Sequence, residues 1–179
     1  MRTQAVLLPL LIVLGASSPA LAQAPQAPPP DRAQILKVSR DTMLKAKYGV
    51  FVTLGEDGQP EARVMDAFAP EDDMTIWMAT NALSRKVNQI KKDGRATIVY
   101  FDPAGPDYVT LVGRAELVND PAEKKKRWKA EWAAFYTDEN RGDDYLLIRF
   151  TPARIELVSI SQGIINDPKT WRPVTLELR

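Results

Sequence analysis

Thr80-Asn81-Ala82-Leu83-Ser84-Arg85-Lys86 sets two hydroxyls and two cations between an apolar stretch, Met74 to Thr80, and a segment of helical character, Ser84 to about Lys92. Cations in a first helical turn face the positive end of the helix dipole and are unfavourable there. The composition makes sense if an anion is held at that point. Free backbone N–H groups, the Thr80 and Ser84 hydroxyls and the Arg85 and Lys86 side chains would together cradle a phosphate. The alternative is a solvated turn whose exposed cations cost about a few tenths of a kcal/mol. Spacing alone leaves both open.

The composition narrows the remaining chemistry. The chain has no histidine and no cysteine. That removes the commonest general base, the commonest metal ligands, and Ser-His-Asp or Cys-His nucleophile systems. No metal site is expected, and chemistry on this chain would come from an organic cofactor. Glu71-Asp72-Asp73 lacks the spacing of a calcium loop and reads as a solvated turn. The formal net charge of +1 argues against broad electrostatic binding to nucleic acid. Lys124-Lys125-Lys126-Arg127 reads as a solvated helix face, with attraction of an anionic substrate or membrane surface as the alternative.

The N-terminal segment is not expected to belong to the fold. Arg2, the apolar run Ala5 to Leu14 and Ala20-Leu21-Ala22 follow the n-region, h-region and A-x-A order of a secretory signal peptide. The apolar run is too short to span a bilayer. Residues 1–22 are therefore expected to be removed, giving a periplasmic or secreted protein with no stable membrane anchor. Removing 22 of 179 residues leaves 157, one ordinary domain. Residues 23–30, Gln-Ala-Pro-Gln-Ala-Pro-Pro-Pro, read as an extended tether before a domain over 31–179.

The elements that must position the cradle follow from periodicity. Asp31 caps a helix to about Lys47. Tyr48 to Leu54 and Glu61 to Phe68 form a hairpin across Asp57-Gly58, and Met74 to Thr80 is a third strand. Asp93-Gly94 ends the short helix with a glycine cap. Arg95 to Phe101 and Tyr108 to Val118 are strands, the second bent or bulged at Gly113. Asp120-Pro121 with Glu123 starts a helix to about Tyr136. Its Trp128, Trp132, Phe135 and Tyr136 are either core or dimer packing, or an aromatic wall over a ligand. Tyr145 to Phe150 and Arg154 to Ile160 are the last strands, split at Thr151-Pro152. The fold expected is mainly β with flanking helices, an antiparallel sheet closing into a barrel.

This order and its motifs resemble the FMN-binding split barrels related to pyridoxamine 5′-phosphate oxidase, especially the general stress protein branch, over roughly Asp31 to Ile160. The residues that carry the resemblance are Arg63-Val64-Met65, Ala79-Thr80-Asn81 with Ser84-Arg85-Lys86, and Gly113 to Val118 leading into Asn119-Asp120-Pro121. It implies that Arg63, Val64 and Met65 lie along the flavin. Trp77, Met78, Ala79 and Thr80 would flank the ring and ribityl chain, and Ser84, Arg85 and Lys86 would hold the FMN phosphate. It further implies a homodimer with FMN in the cleft between subunits.

The departures limit the inference. The Arg-x-His substrate signature of true pyridoxamine phosphate oxidases is absent. Phe68 stands near the place of a substrate-binding lysine, and Tyr108 near that of a flavin-contacting glutamine. The resemblance therefore implies flavin binding without vitamin B6 oxidation. The function expected is an exported FMN-dependent oxidoreductase of unknown substrate, with Tyr108 and Arg63 as candidates for proton handling. The alternatives are a non-catalytic flavin, deazaflavin or tetrapyrrole module, and an interaction domain that has lost its cofactor. Trp171, in the tail, either covers a barrel end or reaches a neighbouring subunit's flavin.

Overall fold

A computed structural model describes residues 28–136 and 144–178. The signal-peptide segment and most of the tether lie outside the described residues. Helix α1 (Arg32–Ala46) starts as expected, Asp31 accepting a hydrogen bond from the Gln34 N–H at 2.7 Å. Strands β1 (Tyr48–Leu54) and β2 (Pro60–Asp66) pair antiparallel around the Asp57-Gly58 turn, where Gly58 takes φ 80°. Then come β3 (Ile76–Asn81), α2 (Arg85–Lys92), β4 (Arg95–Phe101), β5 (Tyr108–Val118), α3 (Pro121–Lys126), β6 (Tyr145–Val158) and β7 (Val174–Glu177). The sheet order is β2-β1-β4-β5-β6-β3, with β7 on β6, and every pairing is antiparallel.

The sheet curls around a core made by alternate inward residues. Phe51, Ile98, Leu111, Phe150, Ile155 and Leu157 are fully buried, and Ile35, Val38 and Met43 of α1 close one side. The barrel does not close between β2 and β3. Ala67 and Phe68, expected in β2, leave it, and among the described residues their backbone pairing to β3 is an Ala67–Met78 bridge and the Phe68 N–H to Trp77 C=O bond at 2.9 Å. That split is where a ligand can enter.

Four local expectations are corrected. The last two predicted strands are one, β6, running through Thr151-Pro152. The ladder shifts register between Val112 and Gly113, and Pro152 lies opposite Gly113. A proline without an N–H is tolerated at such a bulge. A Cβ on Gly113 would come within 2.7 Å of Pro152 Cα, so only glycine fits. Gly94 is not a left-handed cap; Asp93 ends α2 in an extended conformation, and Gly94 lies close under Ala115 C=O. The tail, given no strand from sequence, supplies β7, and Trp171 is 77% exposed on the turn before it, covering no barrel end.

The fourth correction concerns the aromatic helix. α3 is capped by Asp120 with Pro121 first, as expected, but stops at Lys126, and a 3₁₀ turn spans Ala130–Ala134. Breaking the helix lets Trp128, Trp132 and Tyr136 all meet the buried ring of Tyr145, with centroids 5.2, 6.2 and 4.8 Å away. The same break turns Arg127 inward. It is buried, stacks 3.7 Å over Trp77, and pairs with Glu71 and Glu123. Lys125 and Lys126 remain exposed, so only part of the basic run is a solvated face.

Candidate functional site

The opening between β2 and β3 forms a cleft of about 610 Å³, within the size range of small-molecule sites. One wall is β2 with the start of β1: Tyr48, Val64, Met65 and Asp66. The facing wall is Ala79, Thr80 and Asn81 of β3 with Ser84 and Lys86 at the start of α2. The 3₁₀ turn region closes the far side with Trp132, Phe135 and Tyr136. Trp132 is thus both core and cleft wall, which joins the two readings of the aromatic segment.

At the α2 end, Ser84 is the N-cap, yet its hydroxyl makes no capping bond. It lies 2.8 Å from Thr80 Oγ1, and Lys86 Nζ donates to the same Thr80 oxygen at 3.1 Å. The first turn of α2 holds no acid. Two hydroxyls and an ammonium thus converge beside an uncapped helix start.

Behind them is a polar node. Arg63 donates to Thr53 Oγ1 at 2.6 Å, to Gln89 Oε1 at 3.0 Å and to Phe51 C=O at 3.3 Å. Thr53 in turn donates to Gln89 Oε1 at 2.6 Å. Arg85 Nε lies 2.8 Å from Glu61 Oε2. Burial, then repulsion from Arg63 and Arg85, holds the Lys86 ammonium below its usual pKa. Burial and Arg85 lower Arg63 likewise, against a smaller opposing pull from Glu61. Three cations crowd here, and the Glu61 carboxylate pairs with two of them, Arg63 and Arg85. A bound anion would relieve that mutual repulsion.

At the other end, Asp66 accepts from Lys129 Nζ at 2.7 Å and from Trp132 Nε1 at 3.0 Å, pinning the 3₁₀ region to β2. Burial, with the nearby Asp144 adding to it, pushes the Tyr136 phenol up to about 12.

Of the residues singled out from sequence, Val64, Met65, Ala79, Thr80, Ser84 and Lys86 line the cleft together. Arg63 and Arg85 stand just behind, in the polar node. Met78 is in the main core, and Trp77 lies under Arg127. Tyr108 is elsewhere: it begins β5 opposite Phe101, on the outer sheet face. Sequence reasoning missed Asp66, Lys129, Gln89 and Thr53. Their partners lie 10 to 66 positions away, pairings that no helical or strand periodicity encodes.

The outer face of β2, β1, β4 and β5 carries an apolar row. Val64, Val50 and Val99 are in register, flanked by Tyr48 and Phe101. Val64 is 67%, Phe101 57% and Tyr48 49% exposed.

Known proteins place this architecture. No curated protein matches the chain. Among solved structures, a Clostridium acetobutylicum protein related to general stress protein 26 superposes with a TM-score of 0.67 at 22% identity, covering 80% of this chain and 94% of that one. An FMN-binding, pyridoxamine 5′-phosphate oxidase-related protein from Nostoc punctiforme gives 0.56 at 15% identity, covering 82% and 94%. A heme-binding protein from Mycobacterium smegmatis gives 0.59 at 18% identity, covering 80% of this chain and 58% of that one. At such identities the likeness is one of fold: the split barrel anticipated from sequence. The family model of pyridoxamine 5′-phosphate oxidase-like proteins matches residues 35–163, and the chain belongs to that family.

Proposed function

We propose that the chain is an exported FMN-binding protein that acts as a flavin-dependent oxidoreductase. The observation that carries the flavin reading is the convergence of Lys86, Thr80 and Ser84 at the cleft, backed by Arg63 and Arg85 with Glu61 as the one acid among them. That donor set fits a phosphate monoester. The rest of the cleft fits a planar, partly apolar body, with Trp132, Phe135 and Met65 as surfaces and backbone of β2 and β3 as hydrogen-bonding edges. FMN, when bound, supplies hydride or electron transfer. The chain's own residues anchor the phosphate, orient the ring and exclude water on the aromatic side.

Homodimerisation belongs to the same proposal. The apolar row Val64–Val50–Val99 borders the cleft and suits a second copy of the chain. In such a dimer Tyr108, beside Phe101 on that face, is available to the partner's cleft. Export rests on the residue pattern of positions 1–22, and a protein translocated unfolded must acquire FMN afterwards.

The test is to purify the protein, release any bound molecule by denaturation and identify it by mass and absorbance. FMN in the purified protein, or stoichiometric uptake of added FMN, supports the reading. A colourless protein that takes up no FMN refutes it. The same measurement separates the tetrapyrrole alternative, which the heme-binding neighbour keeps in view although this chain has no His or Cys to ligate iron.

A further inference from the structure

β2 turns Glu61, Arg63 and Met65 to one side at alternate positions, so an acid precedes the half-buried arginine on the face that meets α2. Glu61 Oε2 lies 2.8 Å from Arg85 Nε and 3.7 Å from Arg63 Nη2. That oxygen is shut off from solvent and has no hydrogen-bond partner, so it is held by charge without good hydrogen-bond alignment. Oε1 occupies space beside Gly55, where a Cβ would come within 2.8 Å of it. Arg85 itself is 70% exposed and does not line the cleft, whereas the adjacent Lys86 does.

We infer that Glu61 is a built-in counter-anion of the phosphate pocket: it draws Arg85 out of the cleft and competes with a ligand phosphate for Arg85 and Arg63, so that it sets how tightly this chain holds phosphorylated ligands. The inference rests on the phosphate-anchor reading above. Arg63, Arg85 and Lys86 set against Glu61 leave two positive charges, the complement of a phosphate monoester dianion. With the Glu61 charge removed, three remain and Arg85 is free to turn inward. The poor alignment of the Glu61–Arg85 contact makes its exchange for a ligand oxygen inexpensive, since no well-formed hydrogen bond is lost.

The experiment compares wild type, E61Q, R85A and the E61Q/R85A double variant in titrations with FMN and with riboflavin, which lacks the phosphate. Circular dichroism and the thermal midpoint check the fold of each variant. E61Q keeps the shape and removes the charge. The expected result is FMN binding tightened about 3- to 10-fold by E61Q, riboflavin unchanged within about twofold, and the gain absent in the double variant. Unchanged or weakened FMN binding by folded E61Q overturns the inference, as does an equal effect on riboflavin. If wild type and E61Q both fail to bind FMN, the flavin reading fails. Inorganic phosphate then tests Glu61 separately: a larger phosphate-induced rise in thermal midpoint for E61Q supports the counter-anion, and equal rises refute it.

Discussion

Replacing Lys86 by methionine keeps an apolar stem and deletes the one cation that reaches into the cleft at its α2 end. In the structure Nζ is half-buried and 3.1 Å from Thr80 Oγ1. A hydrogen bond to a charged group contributes about 1.5–3 kcal/mol. Two unit charges 4 Å apart near a protein surface interact by about 4 kcal/mol, which sets a ceiling because Lys86 gives up part of its contact with Thr80. At about 1.4 kcal/mol per decade, K86M should weaken FMN binding roughly 10- to 150-fold. Riboflavin, without a phosphate, should change by no more than about twofold. Arg85 provides the internal contrast. It is mostly exposed and already engaged by Glu61, so R85M should cost about 1 kcal/mol or less, roughly fivefold. Flavin fluorescence titrations of the two variants with both ligands measure all four numbers. Equal losses for FMN and riboflavin in K86M, or a larger loss in R85M than in K86M, would refute the assignment of Lys86 to a phosphate.

Other consequences can be checked on the same protein. Gly113→Ala forces a methyl group against Thr151 and Pro152 at the β5–β6 bulge; overpacking of about 1–3 kcal/mol should lower the thermal midpoint by roughly 2–10 °C. Val50→Asp puts a charge in the middle of the exposed valine row. In the proposed homodimer it should give monomer in light scattering with an unchanged circular dichroism spectrum; a dimer that survives the substitution refutes this face as the interface. The Tyr136 phenol, at about 12 in the fold against 10.0 ordinarily, stays neutral in the folded chain while the unfolded chain ionises. Its contribution to stability is complete below about pH 10 and is lost as pH rises toward about 12, so Y136F should flatten the alkaline limb of a stability–pH curve.

How far the sequence carried these conclusions depends on the range of the interaction. Elements set by neighbours were legible: the Asp31 and Asp120 caps, the Asp57-Gly58 hairpin and the Gly113 bulge all rest on contacts within a few residues or on glycine's lack of a Cβ. The cleft wall around Thr80, Ser84 and Lys86 was legible for the same reason, because a strand, a turn and a helix start deliver those side chains together. The extent of α3 was not. Its Trp128–Trp132–Tyr136 spacing suits a helix, but Tyr145 of the next strand and Asp66, 66 positions from Trp132, draw these residues into a broken segment. Arg127 had the look of one more surface cation, and only the Trp77 ring and two glutamates explain its burial. The unbroken β6 was equally hidden, since Pro152 reads as a strand breaker until its place opposite Gly113 is known.

The seam between β2 and β3 would give a molecule bound in the cleft a mechanical part to play. Elsewhere around the barrel, neighbouring strands are tied by antiparallel ladders, but among the described residues the backbones of the two cleft walls are joined by the Ala67–Met78 bridge and one hydrogen bond. A molecule gripping Met65 on one side and Thr80 and Lys86 on the other would stand where a strand pairing is missing. Filling the cleft should then slow amide exchange along both bordering strands at once, so that loading is read out as closure of the sheet itself.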